Sequence, residues 1–484
     1  MNTLHLLEPQ PLFNYFEKIC SIPRPSKKEE KIRKFLLEFA LENKLKAKTD
    51  NAGNVLIFKP ATIGREESPT VILQTHMDMV CEKNSDKIFD FENDAIEPLL
   101  DGEWVKANGT TLGADCGIGI AAQLAVLTSS EISHGPIECL ITVDEETGLT
   151  GAFELKEGFL SGNILLNLDS EDEGEMFIGC AGGIDTLATF TYSAEDLPVN
   201  YIAFKITVSG LLGGHSGDDI HKNRGNANKI LVRILNEISK VTDYRLAEFN
   251  GGNLRNAIAR EAFAVIVLPN SAKESVIVRF NVFAKLLEKE FEFCEPKLKL
   301  KAGTEDLPES VIDIKSQNLL LSALTVCPHG VLEMSSRMEG MVETSTNLAS
   351  VKFVDDNKIQ VTTSQRSEIE SRKYFAADMV ETVFKMAGAK VVHSDGYPGW
   401  TPNPDSAVLQ VVVDSYNRLY KVQPVVRSIH AGLECGLFLE KYPNLDMVSF
   451  GPTIRGAHSP DERLHIGSTQ KFWKHLVDVL ESLK

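Results

Sequence analysis

VILQTHMDM, residues Val71–Met79, is the stretch on which the fold turns. Consecutive β-branched and aliphatic residues bounded by polar ones describe a strand covered on both faces, as in a parallel sheet. His76 and Asp78 stand at its carboxyl end, where open α/β sheets place their ligand sites. Alternation along an extended chain turns both toward the same side. The carboxylate can then fix the imidazole tautomer while the other ring nitrogen meets a metal. A lone histidine at a strand end is more often a satisfied structural residue, so the weight falls on what recurs downstream.

The same pattern does recur. Trp104–Ala107 predicts a short strand leading to GTTLGADCGIGIAAQLAVL, Gly109–Leu127, whose glycine-rich front opens a helix and displays Asp115 on a tight turn. Gly117, Gly119 and Ala122 match GxGxxA. No strand directly precedes them, however, and Asp115 would set a negative charge where a pyrophosphate belongs, so dinucleotide binding is set aside. PIECLITVD, Pro136–Asp144, is another buried strand, running into Asp144-Glu145-Glu146, and Asn163–Leu168 ends in Asp169. Adjacent glutamates point in different directions, so one can ligate while its neighbour faces a bound water. After a strand over Asp446–Phe450, GPTIRGAHSPDE puts His458 in a loop as a second candidate imidazole. Carboxylates gathered at one sheet edge repel one another unless cations sit among them. Histidine and carboxylate donors without cysteine suit zinc, manganese or cobalt.

Composition narrows the partners. A chain of 484 residues is too long for one core and predicts two or three domains, and its 43% hydrophobic and 24% charged content is that of an ordinary globular protein. The formal charge of −18, from 68 acidic against 50 basic residues, argues against nucleic acid and anionic membrane as partners. Eight cysteines without CxxC spacing read as reduced thiols rather than a disulfide frame. MNTLHLLEPQ lacks the basic start and apolar run of a leader, and no stretch reaches the roughly 18 apolar residues of a membrane span, so the expected address is the cytoplasm.

Near the start, helices are expected over Leu12–Cys20 and on to Glu42, the second opened by a Ser26/Glu29 capping box. From about Thr186 the texture changes. Alternating segments at Tyr201–Val208, Asn256–Ala259, Phe263–Leu268, Val351–Val354 and Lys358–Thr363 are interleaved with amphipathic helices, which predicts antiparallel sheet with helices on one face. Within it, Leu212–Gly217 carries His215 on a glycine-flanked turn, and no serine-nucleophile motif is present there. The first texture returns near Gly396–Gly399. The expected fold class is therefore α/β: a mostly parallel-sheet catalytic domain (1–186 and 397–484) interrupted by an α+β lid domain (187–396) carrying an antiparallel sheet.

FEKICSIPRPSKKEE, LQTHMDMV, TTLGADCGIG, VDEETGLTGAF, LLNLDSEDEGE, GCAGGID, HAGLECGLF and HSPDE together resemble the zinc dipeptidase family related to aminoacylases and glutamate carboxypeptidases. Its aminoacyl-histidine (cytosol nonspecific, β-alanyl-histidine) dipeptidase branch is the most similar. The resemblance implies two divalent cations, zinc first with cobalt or manganese as alternatives, about 3.5 to 4 Å apart and sharing a water acidified toward neutral pH. His76 and Asp169 would hold one cation, Glu146 and His458 the other, and Asp115 would bridge them. Asp78 would orient His76, and Glu145 would be the general base. His215, from its own chain or from a partner subunit in a homodimer, would stabilise the oxyanion, and Asn256 would assist Arg366 in clamping the substrate's terminal carboxylate. Aspartate at 169 implies short peptides with a free amino end, Xaa-His and β-alanyl-histidine among them. N-acyl amino acid deacylation or carboxypeptidase action is the alternative within the same chemistry, and a non-catalytic metal-binding role lies outside it. Cys116 stands where the family leads one to expect asparagine.

Overall fold

The computed structural model describes residues 4–484. The chain forms two compact units, one of Met1–Gly179, Trp400–Ser428 and Leu433–Lys484, the other of Cys180–Gly399 and Ile429–Gly432.

The first unit is built on an eight-stranded mixed sheet. Its centre is β1 (Val71–His76), β2 (Ile137–Thr142), β3 (Ile164–Asn167) and β4 (Asp446–Ser449), running parallel in the spatial order β2-β1-β3-β4. Every residue of β1 and β2 is buried, the consequence of apolar side chains on both faces. Val55–Lys59 pairs with β2, and Glu175–Cys180 with β4, in antiparallel fashion. Helix α1 (Ala114–Thr128), apolar nearly all round, is buried along almost its whole length, as a helix without a polar face must be.

The second unit carries a nine-stranded sheet in which every pairing is antiparallel. Helices Ala227–Ile238, Lys273–Glu290, Ile314–Val326 and Glu370–Met386 contribute to a core shared with its strands, including Leu231, Phe280, Leu320, Phe384, Phe204 and Val361.

Two local expectations are corrected. Asn256–Ala259 is a loop with a single bridge, Ala257 to His215, while the strand of that region is Arg245–Gly251. Ser26 and Glu29 do not form a capping box: the helix Glu30–Glu42 starts without a side-chain cap. Ser26 Oγ instead donates to Asp78 Oδ2 (2.7 Å), and Glu29 Oε1 accepts the amide of Asp144 (3.0 Å). A cap satisfies helix amides that water can also reach, whereas these bonds satisfy groups that burial has cut off from water.

At the opposite edge, α2 (Ala407–Tyr420), whose first turn is capped by Ser406 Oγ on the amide of Leu409 (3.0 Å), packs against α3 (Ile466–Ser482). His475 of α3 sits in that seam with Nε2 2.8 Å from the Val412 carbonyl and its ring against Tyr416 and Phe450. Burial pushes its pKa down to about 4. Because the unfolded imidazole takes up a proton near pH 6.5 and the folded one resists, stability is full above that pH and is lost as pH falls toward 4. Denaturant melts at stepped pH should show this group contributing on the order of 1–3 kcal/mol of acid destabilisation. His475→Gln should flatten that slope, and an unchanged slope would assign it elsewhere.

Candidate metal centre

The strand ends of the first unit present their polar side chains together. His76, the last residue of β1, is 1% exposed, with Nε2 3.1 Å from Asp115 Oδ1 and 3.2 Å from Asp169 Oδ1. His458 Nε2 lies 3.1 Å from Asp115 Oδ2 and 3.1 Å from Glu146 Oε2. Asp115 thus gives one oxygen to each of two donor sets. Tetrahedral ligands about 2.0–2.1 Å from a common ion are separated by about 3.3 Å, close to the spacing within each set. Glu145, Glu146 and His76 also converge on one another, as do Asp115, Glu146 and His458.

Each of these side chains is held by a second group. Asp78 Oδ1 accepts the Glu145 amide (3.0 Å) and Oδ2 the Glu146 amide (3.2 Å), which fastens the glutamate-bearing turn to the end of β1. Asp78 Oδ1 also lies 3.3 Å from His76 Nδ1, within ion-pair distance though short of hydrogen-bond geometry. The Asp115 turn is fixed from two sides. Glu462, 2% exposed, accepts the amides of Leu112 (2.7 Å), Gly113 (2.9 Å) and Ala114 (2.7 Å). Arg24, 1% exposed, donates to the carbonyls of Met77, Asp78 and Gly113, tying the turn to β1. Gly113 is left-handed (φ 69°), and a Cβ there would lie 2.6 Å from Arg24 Nη2, so only glycine fits.

The electrostatics express a demand for positive charge. His458 is raised to about 11 by hydrogen bonds to Asp115 and Glu146. Burial alone would lower His76, yet Asp169, Asp115 and Asp78 hold it well above its ordinary value. Asp169 is pushed up to about 6 by burial and by Asp115. Glu145 is raised well above the carboxylate range by burial, with His76 opposing and the Asp169, Glu146 and Glu434 charges adding. In protein alone, protonated imidazoles supply the compensation. Buried oxygens of Glu146 (Oε1) and Asp169 (Oδ1) have no hydrogen-bond partner among the described residues. Nitrogen and oxygen donors with spare lone pairs, in two sets sharing a carboxylate, fit two hard or borderline divalent cations. Cys116 Sγ approaches His76 and Asp169 but donates to the Leu168 carbonyl (3.5 Å), and burial holds the thiol protonated, a poor ligand form.

The second unit brings the other expected residues into one neighbourhood. Ser216, next to His215, donates its amide to the Asn256 carbonyl (2.8 Å), and its hydroxyl accepts from Arg366 Nε (3.3 Å). Asn256 itself is exposed, while Arg366 is buried. His215 Nδ1 accepts the amides of Gly217 (3.3 Å) and Asp218 (3.2 Å), so the ring proton sits on Nε2. Arg24, Glu462 and Tyr397 were not singled out from the sequence. The first two lie in stretches quoted for other reasons, IPRP and HSPDE, and Tyr397 carries no local signal.

The sequence pattern of peptidase family M20/M25/M40 matches residues 72–482. Cytosol non-specific dipeptidase of Escherichia coli K12 is 45% identical over 483 residues, covering 100% of this chain and 99% of the relative. The crystal structure of aminoacylhistidine dipeptidase from Vibrio alginolyticus superposes with a TM-score of 0.91 at 47% identity, over 100% of this chain and 98% of that one. A tripeptidase from Staphylococcus aureus shares the fold at 18% identity, with a TM-score of 0.56 over 98% of each chain.

Removing the Glu462 carboxylate strands three buried amides and releases the Asp115 turn. Glu462→Ala should weaken divalent-cation binding by roughly 10- to 100-fold, read by calorimetric titration of chelator-treated protein. Unchanged affinity would mean that Arg24 alone sets the turn.

Proposed function

Because this chain belongs to peptidase family M20/M25/M40, we propose that it hydrolyses the peptide bond of short unblocked peptides, chiefly dipeptides, with Xaa-His and β-alanyl-histidine among them. The observation that carries this reading is Asp115, whose two oxygens each complete a separate histidine-carboxylate set, with Glu145 alongside. Two full-length relatives named for dipeptide hydrolysis support the substrate class.

In this reading His76 and Asp169 would hold one cation, His458 and Glu146 the other, with Asp115 available to both; zinc is the first choice, with cobalt or manganese as alternatives. Bound there, two divalent cations supply a water acidified toward about pH 7 and polarise the scissile carbonyl. The protein's own groups do the rest. Glu145 takes the proton of the attacking water on a carboxylate oxygen and returns it to the leaving amine nitrogen, a role worth roughly 10²- to 10⁴-fold. Asp78 steadies the His76 ring and the Glu145 turn. His215, with Nδ1 occupied by backbone amides, offers Nε2–H to the developing oxyanion. Arg366 receives the terminal carboxylate, for which a planar guanidinium is suited, with Asn256 assisting. The second unit serves as lid and dimerisation domain of a homodimer, and the protein works in the cytoplasm, an address supported by the name of the Escherichia coli relative, a cytosol dipeptidase. No helix among the described residues is long and apolar enough to cross a membrane.

Glu145→Ala should keep cation affinity within a few-fold while turnover falls at least 10²-fold, measured by calorimetry and a dipeptidase assay on the same preparation. Full activity would remove Glu145 from the proton-transfer role. An unblocked dipeptide should turn over faster than its N-acetylated form. The reverse preference would indicate deacylase or carboxypeptidase action, and no hydrolysis after loading with zinc, cobalt or manganese would leave a binding protein.

A further inference from the structure

Arg366 is only 7% exposed, yet among the described residues no carboxylate lies within ion-pair distance of it. Its contacts are neutral: Nε donates to Ser216 Oγ (3.3 Å) and Nη1 to Tyr397 Oη (2.7 Å). The imidazoles nearby add no anion. Burial, reinforced by the Arg366 charge, lowers His215, and likewise pushes His430 down to about 3, where its Nε2 pairs with Ser345 Oγ (2.8 Å). A buried cation left without a counter-ion is costly, so the second unit holds a guanidinium waiting for an anion.

Tyr397 is built into that arrangement. Its amide donates to the Gly183 carbonyl (2.9 Å), and its carbonyl accepts from the Gly183 amide (3.0 Å) and from Lys373 Nζ (2.8 Å). The hydroxyl end of its ring lies between two glycines. A Cβ at Gly183 would come within 2.6 Å of the hydroxyl oxygen, and one at Gly432 within 2.8 Å of the ring. Neither position can carry a side chain while the phenol stays where it is. A phenol oxygen that accepts from a guanidinium still has its own O–H to give, and among the described residues nothing accepts it.

We propose that Tyr397 Oη–H is the second donor to the substrate's terminal carboxylate, beside the Arg366 guanidinium, and so helps to select peptides with a free carboxyl end. This rests on the reading of Arg366 as the carboxylate clamp. Phenol and guanidinium together present donors to both oxygens of a carboxylate, and the phenol also fixes the plane of the guanidinium.

The test is steady-state kinetics of the cation-loaded enzyme on an unblocked Xaa-His dipeptide and on its C-terminal amide. Tyr397→Phe keeps the ring in its glycine cradle and removes only the hydroxyl. For the free acid KM should rise roughly tenfold or more with kcat within about twofold, while KM for the amide stays within about twofold, because only the charged acceptor loses its bond. Arg366→Ala, run in parallel, should also erase the preference for acid over amide. If Arg366→Ala erases it and Tyr397→Phe leaves it intact, or raises KM for acid and amide alike, Tyr397 is not a carboxylate donor. If Arg366→Ala leaves the preference intact, the clamp reading itself falls.

Discussion

Everything at the centre follows from one requirement: the Asp115 carboxylate must hold one oxygen toward His76 and the other toward His458. A carboxylate so placed is surrounded by other carboxylates, and the mutual repulsion is tolerable only because positive charge sits among them. Asp115 stays below the ordinary carboxylate range despite burial, since the imidazoles outweigh the desolvation. The fold spends two of its most buried charged side chains on keeping it there. Glu462 takes the amides of the turn, and Arg24 ties the turn's carbonyl to those at the end of β1. Both are charged groups bonded chiefly to backbone, a costly use of burial that defines geometry more than it adds stability.

A second polar layer lies one step below. Gln74, Asn167 and Ser449 occupy paired register positions on β1, β3 and β4, and their side chains bond in series, Gln74 Oε1 accepting from Asn167 (2.5 Å) and Asn167 Oδ1 from Ser449 Oγ (2.5 Å). Gln74 Nε2 and Thr142 Oγ1 both donate to Glu434, at 2.6 and 2.7 Å. His76 and Asp169 each lie two residues beyond this layer, so the bonds that set strand register also set the spacing of those two side chains. Such a network is worth having only when nearly complete, because each unpaired member inside a sheet core costs more than the bond it would make.

The second unit shows the complementary arrangement. There the electrostatic imbalance is a buried guanidinium rather than crowded carboxylates, and the neighbouring imidazoles are driven neutral rather than cationic. His215 is neutral with its proton on Nε2, the form of a hydrogen-bond donor rather than of a cation. One unit thus crowds carboxylates around two imidazoles, and the other buries a guanidinium without a counter-anion.

The sequence by itself determined the strands that cross the first unit and the chemical types standing at their ends. Unbroken apolar runs have one stable environment, a sheet covered on both faces, and a polar residue ending such a run has one place to go. That is why the positions of His76 at a strand end, and of Glu146 and Asp169 in the turns that follow strands, were legible from residues 71–169 alone. The antiparallel texture of the second unit was legible for the same reason, since period-two alternation needs no partner to be seen. Only the tertiary structure decided the rest. Ser26 and Glu29 match a helix cap in sequence, but buried carboxyl and amide groups reached from over 50 residues away claim them first. Asn256 looked like strand until a loop bridge to His215 took it. Arg24, Glu462 and Tyr397 act through bonds spanning 53, 350 and 31 residues, respectively. A hydrogen bond between distant segments leaves no period, spacing or composition in either one, so it exists for the reader only once the chain has folded.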